Sequence, residues 1–219
     1  MARPGDPRDA EPRIVDVADG LWIWRMAHPG WAPPDGGDRV VTSTVAVCGD
    51  EIVVLDPLEP PAEAIAIWDR LDAQPPTAAV VIKPDHVRSI GAFVDRYGCR
   101  AYGPEVYYLD DLPTTPIEPT FAGDVLPGGL VALYDGRSRY EWPMWLPQQR
   151  AIVFADALTA LGGELQVWGS PWHEQAVLPA LRAFLELPFE HVIVSHGAPI
   201  HDRAEFERAL ARPPFAGKF

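Results

Sequence analysis

Three short apolar segments, each ending in polar or charged residues, constrain the fold of this chain more than any other feature. They are VVIKPDH at 80–86, IVFAD at 152–156 and VIVSHG at 192–197. Brief runs rich in Val and Ile are typical of buried strands. Because the polar residues follow the apolar ones, each strand would deliver its last side chains to the rim of a sheet, where functional sites are commonly built.

The rest of the chain alternates between strand-like and helix-like patterns. The order of strands, helices, strands and helices predicts an α+β fold, with two sheets packed face to face and helices outside in a four-layer αββα sandwich. Residues 1–13 are charged and Pro-rich and predict a flexible N-terminal arm, and 14–219 predict a single domain. The predicted strands are 14–17, 21–26, 40–47, 52–55, 78–82, 100–103, 130–134, 140–146, 151–154 and 191–194, and the predicted helices are 61–71, 89–97, 105–110, 174–187 and 203–210.

Charge and composition exclude several classes of partner. The formal net charge of −13 argues against nucleic acid, whose binding needs a basic surface. No apolar run approaches the roughly 20 residues of a membrane helix, and no secretory signal pattern opens the chain, so we expect a cytoplasmic protein with no membrane partner. Cys48 and Cys99 form no CxxC pair, and the pattern favours two buried thiols.

Four residues at the ends of the three apolar segments have the chemistry of metal ligands. Asp85, His86, Asp156 and His196 would supply two carboxylates and two imidazoles, a donor set that suits zinc, iron or manganese. Each residue taken alone is more often a cap or a hydrogen-bonded surface side chain. Asp85 and His86 in particular precede a predicted helix, where they could cap its first turn.

The sequence resembles the metallo-β-lactamase superfamily in the order and spacing of these segments, from about residue 14 to 210. The hairpin 40–56 with its Leu-Asp-Pro ending is similar to the opening of that fold, and the family signature HxHxDH falls on 81–86. Phe154–Leu158 resembles the family's Phe-x-Gly-Asp segment, and Val194–Gly197 resembles the segment of its last histidine. The resemblance implies a four-layer fold and a metal-dependent hydrolase.

Departures from the signature are as informative as the matches. Val81 and Lys83 stand where the family has its two signature histidines, and Arg137 falls at its third histidine position. By this resemblance, all ligands of the first metal are replaced and those of the second, Asp85, His86, Asp156 and His196, are retained. Lys83 and Arg137 would restore positive charge there, either to hold a substrate or to close the site as salt bridges with the carboxylates.

These observations favour an enzyme with one divalent ion, zinc before iron or manganese, that hydrolyses a small ester, thioester, lactone or amide. Asp85, Lys83 and Arg137 are the predicted catalytic residues, with Asp156 as a ligand or base and Asp56 as the partner that orients a ligand histidine. The alternative is a non-catalytic binding or scaffold protein without metal, whose site is filled by salt bridges. In either case the expected partner is a small molecule, and the sequence indicates no oligomeric state.

Overall fold

Two sheets form the centre of the molecule. The computed structural model describes residues 11–30, 39–137 and 141–216. The large sheet has seven strands in chain order, β1 to β7, and the small sheet has four in the order β13-β10-β9-β8, while β11 and β12 form a separate hairpin. The strands are β1 Arg13–Ala18, β2 Leu21–Ala27, β3 Val40–Cys48, β4 Glu51–Leu55, β5 Ala78–Val80, β6 Arg100–Gly103, β7 Glu118–Pro119, β8 Val131–Ala132, β9 Met144–Leu146, β10 Ala151–Val153, β11 Leu158–Thr159, β12 Gln166–Val167 and β13 His191–Ile193.

The large sheet changes from antiparallel to parallel at β4. Strands β1 to β4 form a meander whose tight turns contain Gly20 and Gly49, both with positive φ, which glycine adopts without steric cost. From β4 onward the pairs are parallel, since each connection crosses over outside the sheet. In the small sheet β10 and β13 are also parallel neighbours. Their carboxyl ends therefore meet at one edge.

Four α-helices cover the outer faces of the sheets. They are α1 Ile65–Ala73, α2 Ile90–Tyr97, α3 Leu178–Ala183 and α4 Arg203–Ala209. The helix predicted for 174–187 is divided into a wide π-helical turn at His173–Val177, then α3, then a 3-10 turn at Phe184–Glu186. Pro179 explains this division. A continuous α-helix would need a hydrogen bond from the N–H of residue 179 to the carbonyl of residue 175, and proline has no N–H.

Other departures from the predicted elements are small. The helix predicted at 105–110 is a 3-10 turn at Leu109–Asp111, and α1 begins at Ile65 instead of residue 61. Strands β7, β11 and β12 have two residues each and were not predicted. The expected arm at 1–13 lies mostly outside the described residues, and Arg13 begins β1.

Three apolar cores separate four layers. The middle core lies between the sheets and includes Ile23 and Leu55 from the large sheet and Met144 and Val153 from the small one. A second core joins the large sheet to α1 and α2, and a third joins the small sheet to α3 and α4. The fold is therefore the predicted α+β sandwich with the layer order αββα.

Both cysteines are buried and free, as the sequence predicts. None of the helices in the described part of the chain has the length and apolar character that crossing a membrane requires.

Candidate active site

The three polar segments meet at one rim of the two sheets. Lys83, Asp85 and His86 follow β5 of the large sheet, while Asp156 follows β10 and His196 follows β13 of the small sheet. These side chains surround an open cavity of about 220 Å³. The remaining lining residues are His28, Val41 and Arg88.

The ammonium group of Lys83 lies between two carboxylates. Its Nζ atom is 2.7 Å from Oδ2 of Asp85 and 2.5 Å from Oδ2 of Asp156. Lys83 and Asp156 are buried, whereas Asp85 is partly open to solvent. Burial raises the pKa of Asp156, but the nearby charges of His86 and Lys83 outweigh it and hold that pKa well below its usual range. Asp156 is therefore a carboxylate across the whole neutral range.

His86 is oriented by Asp56 at the end of β4. Its Nδ1 atom lies 2.7 Å from Oδ2 of Asp56, and its Nε2 atom lies 3.4 Å from Oδ2 of Asp156. The other oxygen of Asp56 accepts a hydrogen bond from the backbone N–H of Ile82 at 2.7 Å. Burial lowers the pKa of His86, but the charges of Asp156 and Asp56 raise it further, to about 9.

Asp56 has a strained backbone, which fixes its direction. Its φ of 45° lies in the left-handed region that non-glycine residues rarely adopt. The Oγ atom of Ser43 donates to the carbonyl of Asp56 at 2.9 Å, which helps to hold this conformation. The carboxylate is thereby aimed at His86 and Ile82.

His196 reaches the same carboxylate from the small sheet. Its Nε2 atom lies 3.7 Å from Oδ1 of Asp156. The Oδ1 atoms of Asp156 and Asp85 are buried and accept no hydrogen bond from the described residues. As these side chains stand, no group of three His, Cys, Asp or Glu residues within the described ranges converges into a metal centre. His86, His196 and Lys83 all approach Asp156, and Lys83 also pairs with Asp85.

Asp85 and His86 do not cap a helix. Helix α2 begins at Ile90 and its N-terminal residue is Ser89, which makes no side-chain capping bond. The capping alternative for these two residues therefore does not describe their contacts.

Arg88 ties the two sheets together at the cavity, a role that the sequence did not reveal. Its Nη1 donates to the carbonyls of Thr42 and Asp56 at 2.7 and 2.8 Å, and its Nη2 donates to Oγ of Ser195 at 2.7 Å. The backbone N–H of Thr42 also donates to the carbonyl of Ser195, at 3.0 Å. One buried guanidinium thus joins the ends of β4 and β13 to the middle of β3.

Arg137 pairs with Asp135 and is not part of the cavity lining. Its Nη2 lies 2.6 Å from Oδ2 of Asp135, and its backbone N–H donates to Oδ1 of the same residue at 2.8 Å. Of the two cations that were expected together, Lys83 lines the cavity and Arg137 does not. The physical reason is local, because an Asp two residues earlier folds back onto the Arg137 backbone and captures its guanidinium.

Glu141 supports the segment that carries Asp156 and was also missed. Its Oε2 accepts hydrogen bonds from the backbone N–H groups of Asp156 and Ala157 at 2.7 and 2.8 Å. Burial raises its pKa, to about 8, and the neighbouring charge of Asp135 adds to that rise. Such a carboxyl group inside a Pro- and Trp-rich segment carries no signal in sequence, because its partners are backbone groups.

Several solved structures with the same architecture are metallo-β-lactamases. The enzyme from Hirschia baltica superposes with a TM-score of 0.67 at 17% identity, covering 94% of this chain and all of its own. FIM-1 from Pseudomonas aeruginosa, in its mono-zinc form, gives 0.65 at 16% identity over 94% of this chain and 96% of its own, and DIM-1 gives 0.66 at 16% over 92% and 96%. No protein-family model matches the sequence, and no curated protein matches it. The likeness is therefore one of architecture, and the chain has the metallo-β-lactamase fold.

Proposed function

We propose that this protein is a hydrolase-like enzyme that holds one divalent metal ion on Asp85, His86, Asp156 and His196. The observation that carries the proposal is the hydrogen bond between Nδ1 of His86 and Asp56, at 2.7 Å. Metal-binding histidines almost always donate their second ring nitrogen to such a partner, which fixes the tautomer and leaves the other nitrogen for the ion. The Nε2 of His86 accordingly faces the cavity and Asp156.

The remaining donors support a single ion. The Oδ1 atoms of Asp85 and Asp156 are buried without a hydrogen-bond partner, and such oxygens are costly unless a cation neutralises them. His196 adds a second imidazole beside Asp156. Two carboxylates and two imidazoles form a set that suits zinc. The mono-zinc form of FIM-1 is an example of this fold with one zinc ion.

Lys83 supplies the second positive charge that a two-metal site would otherwise provide. A divalent ion held by these residues would act as a Lewis acid and make water more acidic near neutral pH. The Lys83 ammonium, fixed between two carboxylates, can stabilise negative charge that develops on a carbonyl oxygen. Asp85 shares that ammonium and sets its position, and Asp156 is either the fourth ligand or the base.

The cavity limits the substrate to a small molecule. Its volume of about 220 Å³ is below the range of roughly 300–1,000 Å³ that drug-sized ligands occupy. We infer a small ester, thioester, lactone or amide whose scissile carbonyl lies near Lys83. Arg137 takes no part in this scheme because Asp135 holds its guanidinium.

A second candidate is a metal-free binding protein, and the contacts of Lys83 favour it. The ammonium already neutralises both carboxylates that a metal would bind. With His86 protonated, as its raised pKa implies, Asp56, Asp85 and Asp156 each lie beside a cationic side chain.

Metal content and ester hydrolysis decide between the two candidates. The protein is purified without a tag, dialysed against a weak chelator and analysed for metals, then assayed with small activated esters and lactones before and after zinc is added. We expect about one ion per chain to remain bound after dialysis and hydrolysis to follow that ion, with both lost in Asp156→Asn. A cavity that holds no ion after zinc is supplied would favour the metal-free alternative, and two ions in the cavity would contradict the ligand assignment.

A further inference from the structure

Two histidines face each other on the outer edge of the small sheet. Neither of them is among the residues that line the cavity. His191 begins β13, the edge strand, and His201 lies shortly before α4. Val192 and Ile200 form an antiparallel bridge in which each N–H donates to the other's carbonyl at 2.9 Å. His191 and His201 are the next opposed pair in that register. In antiparallel strands, a pair beside a doubly hydrogen-bonded one brings its side chains closest together.

The two imidazoles meet through the same type of nitrogen. The Nδ1 atoms of His191 and His201 are 3.1 Å apart, and the ring planes are inclined at 75°. Two nitrogen ligands at about 2.0–2.1 Å from one ion lie about 2.9 Å apart at a right angle and about 3.3 Å apart at the tetrahedral angle. The observed separation falls between these values. One ring N–H donates to the other nitrogen in the present arrangement, so an ion that binds both nitrogens at this separation would replace that proton.

The charges around the pair allow a cation to approach. Glu190 and Arg150 are the charged neighbours of His191, and they are ion-paired with each other at 2.7 Å. Partial burial lowers the pKa of His191, and the adjacent His201 and Arg150 lower it further, against the effect of Glu190. An imidazole with a lowered pKa is neutral at pH 7 and can offer a lone pair to a metal.

We propose that His191 and His201 form a second, surface metal-binding site for a borderline transition-metal ion such as copper(II), nickel(II) or zinc(II). The pair supplies two nitrogen ligands on a fixed cross-strand scaffold, and its exposure leaves the remaining coordination positions to water or to another ligand. The site shares no residue with the cavity and does not depend on the proposed hydrolase activity.

Copper(II) is the probe of choice, because it binds nitrogen ligands most tightly among the divalent ions of its series. Substoichiometric copper(II) is added to the untagged Asp156→Asn variant, whose cavity is expected to hold no metal, while histidine ring resonances are followed by NMR, and affinity is measured by calorimetry. We expect the resonances of His191 and His201 to broaden together. In His201→Gln the affinity of this site should fall by at least about tenfold, since losing a direct ligand costs no less than losing a residue that orients one.

His28→Gln is the matched control, since it also removes a histidine but leaves the pair intact. The surface affinity of that variant should equal that of the parent chain. Unchanged copper affinity in His201→Gln, or broadening confined to the cavity histidines, would overturn the surface site. The metal content of the cavity is also measured in His201→Gln, so that failure of either proposal is seen separately.

Discussion

The Nζ atom of Lys83 lies 2.5 Å from the carboxylate of Asp156, although the two residues are 73 positions apart in sequence. The contact joins the end of the large sheet to the end of the small one. It places a side-chain cation between the buried carboxylate of Asp156 and the carboxylate of Asp85. Both carboxylates therefore share one lysine, in a chain that has only two.

Removal of that lysine should destabilise the protein more than a surface change. In Lys83→Ala the buried carboxylate of Asp156 loses its hydrogen-bonded ammonium and keeps only the more distant charge of His86. Breaking a buried pair typically costs about 3–5 kcal/mol. Chemical denaturation at pH 7 measures the loss. Arg70→Ala, which removes an exposed ion pair with Asp16, should cost less than about 1 kcal/mol. Equal losses in the two variants would mean that Lys83 contributes no more than a surface charge.

Added zinc should separate the two functional candidates in the same variant. If the cavity binds a metal, zinc should recover part of the stability that Lys83→Ala loses, because the ion replaces the missing charge. Thermal melting with and without zinc reports this recovery. A melting temperature that zinc leaves unchanged would favour the metal-free binding protein.

The contact between Asp56 and His86 should control metal affinity without contributing a ligand. In Asp56→Asn the amide nitrogen can face Nδ1 of His86. The ring proton would then lie on Nε2, which could no longer bind a metal through its lone pair. Loss of such a partner typically lowers metal affinity by about 10–100-fold. Competition with a chromophoric zinc chelator measures the change. Asp72→Asn, at an exposed carboxylate paired with Arg96, is the control that should keep the parent affinity.

Acid stability should depend on Glu205. A hydrogen bond from Arg212, at 2.5 Å, lowers the pKa of this carboxyl group to about 2 from an ordinary value of 4.5. Because the folded-state pKa is depressed, the carboxylate stabilises the fold above pH 4.5, and this contribution is lost as the pH falls towards 2. At pH 7, Glu205→Gln should cost about 1 kcal/mol, a figure reduced for screening by solvent.

The control for Glu205 is its neighbour on the same helix. Glu207→Gln removes a carboxylate from α4 that reaches Arg203 only at 3.7 Å and is half exposed. Urea titrations at pH 7 and near pH 2 should show a stability difference between the two variants at the higher pH only. A difference that persists near pH 2 would contradict the role of the ionised carboxylate.

Arg88 should resist conservative replacement. Lysine in its place has its three N–H groups on one terminal nitrogen, which cannot reach Thr42, Asp56 and Ser195 together. We expect Arg88→Lys to lower the free energy of unfolding by about 1–3 kcal/mol, since buried acceptors lose their partner. Arg96→Lys, on the exposed face of α2, should change it by less than about 0.5 kcal/mol. Comparable losses of stability in both variants would mean that the Arg88 guanidinium does not hold the two sheets together.

The sequence predicts the sheets and the rim better than it predicts the contacts at the rim. Apolar strands that end in Lys83–His86, Asp156 and His196 could be identified from composition alone, because buried strands have little choice of residue type. The convergence of these ends follows from the fold. Arg88 and Glu141 gave no comparable signal, since each binds mainly backbone groups that only the tertiary structure brings near.

Local chemistry explains two of the remaining differences. Asp135 lies two residues before Arg137, at a position from which an Asp side chain commonly bonds the backbone, and this contact keeps the guanidinium out of the cavity. Pro179 interrupts the long helix predicted for 174–187. In both cases a neighbour two to four residues away decides the local conformation, against the longer-range pattern in the sequence.

The backbone hydrogen bond from Thr42 to Ser195 also bears on how the cavity responds to a ligand. It is a main-chain bond between the two sheets, so their halves cannot part there without losing it. Amide protons at this seam should therefore exchange with solvent only through large-scale unfolding. The rim segments of the two sheets are thus held at a fixed separation, and the cavity between them exists before any ligand is bound.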